Sequence, residues 1–532
     1  MASSCSAWSK VATMQRPTKG LTAGAHLAGR PVRCSPTLAR FVRGRVQTTC
    51  AQGGSEPQGA AESAGLFGSR RQVLLGLPLV VSGLDQQDFI QLSEFTLSGG
   101  NANGPKVSRE PPFSMDEERR LWGYFFGNIH PSGRIVAAPS QNHPDYFYTW
   151  VRDEALCMGV VLDGLESGQV SHETAMPMLK RYVDWVIDAQ HAEEPHFGQP
   201  LLGEPKYNMD GTVYRGDWMR PQNDGPALRA ITTMRIANYV LANEGAGGHQ
   251  LVADDLYCKC DSWNAIQTDL DYVVDSWNSN SYDVWEESWG KHYFTAMVQR
   301  RALIDGAAFA KSMGDKGKAA LYQEHADRMT NHVRKFWNPK TGVIMATLSP
   351  HSWPSKEKEL DSAVLLATLY GYTPSQPVWP ATSPEVMSTL DELCNHFGEA
   401  YPVNRRASSP ETPRSSVMLG RYPGDIYDGY ARGGGGNPWV LTTCGAAEVL
   451  YRRAAEASSQ REWSELVTKG DGMLMRIREH VEDNETGFHL PEQINLVTGK
   501  PQGAPDLSWS YATLISALRA RQTAMGMNEE FN

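Results

Sequence analysis

From residue 115 onward, apolar positions recur at three- and four-residue intervals through most of the chain, and strict alternation is sparse. Helices are therefore the predicted elements. Ser114-Met115-Asp116-Glu117 sets a hydroxyl at an N-cap and a carboxylate three residues on, a capping box that opens an amphipathic run to Gly127. The same spacing predicts helices over about 151–166, 172–192, 224–243, 262–276, 289–313 and 315–336, with Pro226 close to the start of the fourth run. Others follow over 359–370, 384–398, 438–457, 459–482 and 506–522, and Ser383 with Pro384 caps one of them. The total is twelve.

The links between these runs are uneven. Helices two to three, six to seven and ten to eleven are joined by a few residues, as in tight helical hairpins. The connections 128–150, 193–223, 277–288, 337–358, 399–437 and 483–505 are long. If successive helices run antiparallel, all six long loops emerge at one end. Long ordered loops are usually functional. Twelve helices in six hairpins suit an all-α fold, an (α/α)6 barrel of six inner and six outer helices. A solenoid of helix pairs is the alternative, and no sequence repeat at a fixed period supports it.

Composition narrows the partners. The chain has 532 residues, 41% hydrophobic and 21% charged, which excludes wholesale disorder. Its net charge of −10 argues against a nucleic-acid partner, and no apolar run approaches the ~18 residues of a membrane span. Charge is uneven, however. Residues 1–85 carry ten basic side chains against three acidic ones, and none of the acids precedes Ser55. An acid-free, Ser- and Arg-rich stretch followed by Arg70-Arg71 and the apolar run Val73–Val81 reads as a plastid-targeting segment over 1–110. A plain basic tail and a secreted protein are the alternatives; the catalytic domain is then 111–532. Cys157, Cys258, Cys260, Cys394 and Cys444 lie in the body at spacings that suggest free thiols, without zinc-ligand spacing. Asn484-Glu485-Thr486 is a lone glycosylation pattern.

The long loops carry the chemistry. The first ends Pro144-Asp145-Tyr146-Phe147-Tyr148-Thr149-Trp150-Val151-Arg152-Asp153, and the second holds Gly203-Glu204-Pro205-Lys206-Tyr207-Asn208 and Trp218-Met219-Arg220-Pro221-Gln222-Asn223-Asp224. The third reads Tyr282-Asp283-Val284-Trp285-Glu286-Glu287. Arg421-Tyr422-Pro423-Gly424-Asp425 and Asn437-Pro438-Trp439 mark the fifth, and Pro491-Glu492-Gln493 and Asp506-Leu507-Ser508-Trp509 the sixth. A Glu-Glu pair alone is usually a solvated turn, and a tryptophan at helical spacing is usually core. Carboxylates, arginines and aromatics gathered on one face are the furniture of a carbohydrate pocket, where flat rings stack on sugars and charged groups bind hydroxyls. There is no zinc-binding His-Glu-x-x-His, phosphate loop or nucleophile elbow, and the glycines at 433–436 follow no strand. Catalysis by two carboxylates remains, as in glycoside hydrolysis.

These segments, in order across about 115–522, resemble the glucoamylase family, glycoside hydrolase family fifteen. The resemblance implies an inverting, exo-acting enzyme that releases β-D-glucose from the non-reducing ends of α-1,4-glucans, starch or maltooligosaccharides, without cofactor or metal. It places Glu286 as general acid and Glu492 as general base. Arg152, Asp153 and Arg421 match residues that hold the terminal glucose, and Trp218 and Glu287 match residues of the neighbouring subsite. Tyr146, Asp283, Trp285, Trp439 and Trp509 complete the expected pocket. Gly211, Met219 and the stretch Gly429–Gly436 depart from fungal relatives and bear on the outer subsites. The chain ends soon after the twelfth run, so a C-terminal starch-binding module is not expected, and a monomer is. An α-1,6-glucan or trehalose hydrolase, or a glucan-binding barrel without catalysis, are the other readings.

Overall fold

Twelve longer helices make the body: α1 (Met115–Gly127), α2 (Val151–Ser167), α3 (His172–Gln190), α4 (Asp224–Asn243), α5 (Ala265–Ser276) and α6 (Tyr293–Ser312), then α7 (Lys316–Val333), α8 (Ala363–Gly371), α9 (Pro384–Ala400), α10 (Val440–Ala454), α11 (Gln460–Val481) and α12 (Ser508–Gly526). The computed structural model describes residues 107–526 except 109, 193–200, 259–262, 349–358, 406–415 and 484–486. The targeting segment up to residue 106 and the sequon at Asn484 lie outside the described residues.

The even-numbered helices form a closed ring. α2 packs on α4, α4 on α6, α6 on α8, α8 on α10, α10 on α12, and α12 returns to α2. The odd-numbered helices lie outside: α1 against α12, α3 against α2, α5 against α4 and α6, α7 against α6, α9 against α8 and α11 against α10. This is the (α/α)6 barrel. The sequence sorts the two rings by burial. In α8 every residue except Tyr370 is buried, and α10 and α12 are apolar or small on nearly every face, as a helix with neighbours all round must be. The outer helices keep one wet face.

Capping separates the rings as well. All six outer helices start on a side chain that accepts from their own first turn: Ser114, Ser171, Asn264, Asp315, Ser383 and Ser459. Among the described residues the N-cap residues of inner helices α2, α4, α6, α8 and α10 make no such side-chain bond. In four inner helices the first N–H donates to a carbonyl from a distant loop, Val151 to Pro205, Tyr293 to Ala346, Val440 to Glu492 and Ser508 to Ala137. The long loops thus satisfy the inner N-termini that they surround, and those positive dipole ends face the carboxylate-rich mouth.

Two expected helices begin later than the periodicity suggests. Trp289–His292 is a strand, pairing with Ser281–Tyr282 on one side and Thr347–Leu348 on the other, so α6 waits until Tyr293. Asp361 caps a turn before α8 by accepting from the Ala363 N–H. The α4–α5 link is not a plain loop, since a helix over Gly245–Leu251 runs into a π-helix over Val252–Leu256. Cys157, Cys394 and Cys444 are free and buried as expected, but Cys258 is disulfide-bonded, which corrects the free-thiol expectation there. Pairing depends on the approach of Cβ atoms in space, which spacing does not report. Ahead of α1 the chain is strapped down: Arg521 Nη2 donates to the carbonyls of Ser108 (3.0 Å) and Glu110 (3.3 Å), and Arg478 Nη1 to Pro112 (2.7 Å).

Candidate active site

The first and second long loops meet as a two-stranded ribbon, β1 (Tyr148–Trp150) with β2 (Lys206–Asn208), in which Trp150 faces Lys206. Because α2 starts immediately after β1, its first turn delivers Arg152 and Asp153 to the ring's mouth. The buried Arg152 guanidinium donates from Nη1 to Gln222 Oε1 (2.8 Å) and Asp224 Oδ2 (3.0 Å), while Nη2 lies 3.5 Å from Glu286 Oε1. Burial pushes the Asp153 carboxyl up to about 6; Arg152 pulls it down, and Glu286 and Asp224 push further up.

The adjacent glutamates part company at a tight turn. Asp283 O accepts from the Glu286 N–H (2.9 Å), and Asp283 Oδ1 accepts from the N–H groups of Glu287 (2.7 Å) and Ser288 (2.9 Å). Asp283 therefore shapes the turn that presents the pair. Glu286 sits at φ +60°, a left-handed conformation that costs a non-glycine residue roughly 1–3 kcal/mol and is characteristic of functional sites. Glu286 Oε1 accepts from Trp150 Nε1 (2.8 Å) and Gln222 Nε2 (2.9 Å), and among the described residues no donor reaches Oε2. Glu287 turns the other way. It accepts from Arg421 Nη2 (3.0 Å) and from the Tyr422 hydroxyl, with Arg432 Nη2 at 3.8 Å.

Arg421 is buried among aromatic faces, its guanidinium carbon 5.3–5.5 Å from the ring centroids of Trp285, Tyr422, Tyr427 and Trp439. Asp425 clamps it through both oxygens, at 2.8 and 2.6 Å. Trp285 and Trp439 thus wall the arginine, and Trp285 Nε1 is fixed on Asp361 at 2.9 Å. Trp509, in the first turn of α12, lies 5.8 Å from the Arg152 guanidinium and donates to the Tyr370 hydroxyl. Trp218 packs edge-on to Trp150, and its indole N–H finds no acceptor among the described residues, nor does that of Trp439.

Glu492 is buried at 1% exposure, as deep as Asp224 and Asp361. Its Oε1 accepts from the Tyr146 hydroxyl (2.8 Å), which in turn pairs with the Tyr427 hydroxyl (2.8 Å). Burial raises its pKa to about 7, against the opposing pull of Tyr146, Arg421, the Ala504 backbone and Gln493. Tyr146 and Trp150 stand with ring centroids 5.8 Å apart, and each holds one of the two carboxyls at its polar end. Among the described residues the two carboxyls share no hydrogen-bond donor.

All twelve sequence-derived positions fall in this one region, though Asp283 acts on the backbone. Trp150, Gln222 and Tyr427 hold the key carboxyls or their partners, yet sequence reasoning did not single them out. Trp150 and Gln222 were visible inside the quoted motifs, but an indole or an amide has no chemistry of its own to betray it. Lys206 was likewise passed over. Among the described residues no cluster of His, Cys, Asp and Glu is arranged to hold a metal ion.

Comparison with known proteins agrees with this geometry. The family model for glycosyl hydrolases family 15 matches residues 128–519. A "Probable glucoamylase" of Schizosaccharomyces pombe is 33% identical over 479 residues, covering 81% of this chain and 98% of that protein. The intracellular sporulation-specific glucoamylase of Saccharomyces cerevisiae is 32% identical, covering 75% and 82%. The solved glucoamylase of Saccharomycopsis fibuligera superposes with a TM-score of 0.68 at 29% identity, covering 77% of this chain and 95% of that one.

Proposed function

The chain belongs to glycosyl hydrolases family 15, and from that premise we propose how its carboxyls divide the work. It is a glucan 1,4-α-glucosidase, a glycoside hydrolase that releases glucose from starch. The observation that carries the division of labour is the placement of Glu286 and Glu492 on separate aromatic props, one with a free oxygen and one buried. Glu286 gives the proton from its unpartnered Oε2 to the glycosidic oxygen as the bond from that oxygen to C1 breaks. Water attacks C1 from the opposite side, and its proton passes to Glu492. A new C1–OH bond forms with inverted configuration, so β-D-glucose leaves first; a gap between the carboxyls that admits water is what this route requires. A base whose proton affinity is raised by burial draws that proton more strongly than an exposed carboxylate would.

Arg152, Asp153 and Arg421 are placed to bind the terminal glucose, with Trp218 and Glu287 bordering the next unit. Every group in this scheme comes from one chain, which supports a monomer as the working form. The acid-free composition of the N-terminal segment supports plastid delivery, and a fluorescent fusion of residues 1–110 that reached the secretory pathway would refute it. The mechanism is tested by proton NMR in the first minutes of maltose hydrolysis, where β-glucose should precede α. Glu286→Gln should abolish turnover with binding kept, whereas Glu287→Gln should chiefly raise KM; the larger loss of turnover at Glu287 would reverse the acid assignment.

A further inference from the structure

Lys206 is buried opposite Trp150 on the β1–β2 ribbon, and its ammonium is enclosed by ring faces. The Nζ lies 3.7 Å from the Trp218 ring centroid, 4.0 Å from Tyr148, 4.2 Å from Tyr214 and 4.6 Å from Trp150. Among the described residues no carboxylate pairs with it. Burying an unpaired ammonium is costly, and electron-rich faces on several sides are what offsets that cost. Two of these rings belong to the site: Trp150 donates to Glu286, and Trp218 packs edge-on against Trp150. A structural lysine would be met by carboxylates or carbonyls. This one grips the two indoles that surround the acid.

We propose that Lys206 is a positioning residue for proton donation, its ammonium locking the Trp150 indole so that Glu286 Oε1 is held and Oε2 is presented to the glycosidic oxygen. This rests on Glu286 being the acid. A cation on an indole face draws electron density from the ring and strengthens its N–H as a donor, and the carboxylate that Glu286 becomes is the acceptor. The same grip fixes Trp218, so aglycone binding and proton delivery are tied together. Burial lowers the lysine to about 8; Glu286 and Asp145 oppose the shift, and Arg220 adds to it. Around that ammonium the titratable neighbours are thus Glu286, Asp145, Arg220 and the phenols of Tyr148 and Tyr214. It remains charged across the acid and neutral range and releases the rings above that.

The test compares Lys206→Met and Lys206→Arg on maltose and on α-D-glucosyl fluoride, whose leaving group needs far less help from an acid. Lys206→Met should lower kcat on maltose roughly 10-fold, a fraction of the ~10²–10⁴ that a general acid contributes, and lower it much less on the fluoride. Lys206→Arg should recover most of the loss on maltose. Equal loss on both substrates, or none on either, overturns the proposal. A second readout needs no catalysis. The tryptophan emission of the unmodified protein should change in a step near pH 8 that is missing in Lys206→Met, and a protein without that step lacks the caged charge. Should Lys206→Met not fold, this step and the Arg variant still decide. Glu286→Gln on maltose serves as the control: sustained turnover there would refute the acid assignment itself, independently of what Lys206 does.

Discussion

Removing a single hydroxyl should move the acid side of the pH profile in a direction that follows from the geometry. Tyr146 donates to Glu492 Oε1 at 2.8 Å and so favours the ionised carboxyl, while burial favours the protonated one and wins, leaving it at about 7. In Tyr146→Phe the carboxylate loses a charge-assisted hydrogen bond of about 1.5–3 kcal/mol. At ~1.4 kcal/mol per unit that is a further rise of about 1–2 units for Glu492. The Glu492 carboxylate is needed to take the proton of water, so activity is lost as pH falls through this pKa, and the acid limb should move to higher pH by that amount. Tyr427, whose hydroxyl pairs with Tyr146 and not with Glu492, should shift the limb less when replaced by Phe. The assay is kcat/KM for maltose from acid to mildly alkaline pH, since this ratio reports the free enzyme. A limb that stays in place or moves to lower pH in a folded Tyr146→Phe protein would falsify the link between Tyr146 and the base.

Three further outcomes follow from the same contacts. Native Glu492 keeps its proton to about 7 whereas an unfolded glutamate releases it near 4.5, so stability falls as pH rises between these values, by about 3 kcal/mol in all; Glu492→Gln should accordingly raise the melting temperature over wild type at pH 8 and not at pH 4, and a pH-independent difference would refute this. Gly503 has φ +76°, and a Cβ there would stand 2.3 Å from Glu492 Oε2, so Gly503→Ala should displace the base and lower kcat by about 10²-fold, with retained turnover as the contrary result. A chain starting at residue 111 loses the Ser108 and Glu110 carbonyls that accept from Arg521, and it should unfold with about 1–3 kcal/mol less stability than one starting at 107; equal urea midpoints would show that the strap is dispensable.

Local sequence determined the helices, and the outer ring most completely. Ser114, Ser171, Asn264, Asp315, Ser383 and Ser459 cap their helices through side chains three residues from the N–H groups they satisfy, so the start of each outer helix is written beside it. The uneven loop lengths likewise placed the mouth at one end, and the carboxylates, arginines and aromatics in those loops marked it as a sugar site. Other features depended on contacts between residues far apart in the chain. Four inner helices begin where carbonyls of remote loops, such as Pro205 for Val151 and Glu492 for Val440, accept their first N–H groups, while α6 starts late because Trp289–His292 pairs as a strand and α8 because Asp361 turns the chain ahead of it. Adjacent Glu286 and Glu287 are chemically identical in sequence, and they differ because a left-handed turn sends one to Trp150 and Gln222 and the other to Arg421 and Tyr422. Lys206 shows nothing unusual in sequence until the β1–β2 pairing sets it beside Tyr148 and Trp150 and the loop after β2 adds Tyr214 and Trp218. Residue type fixes which chemistry is available, but burial and partners fix each group's charge and direction, and both arise only when distant segments pack together.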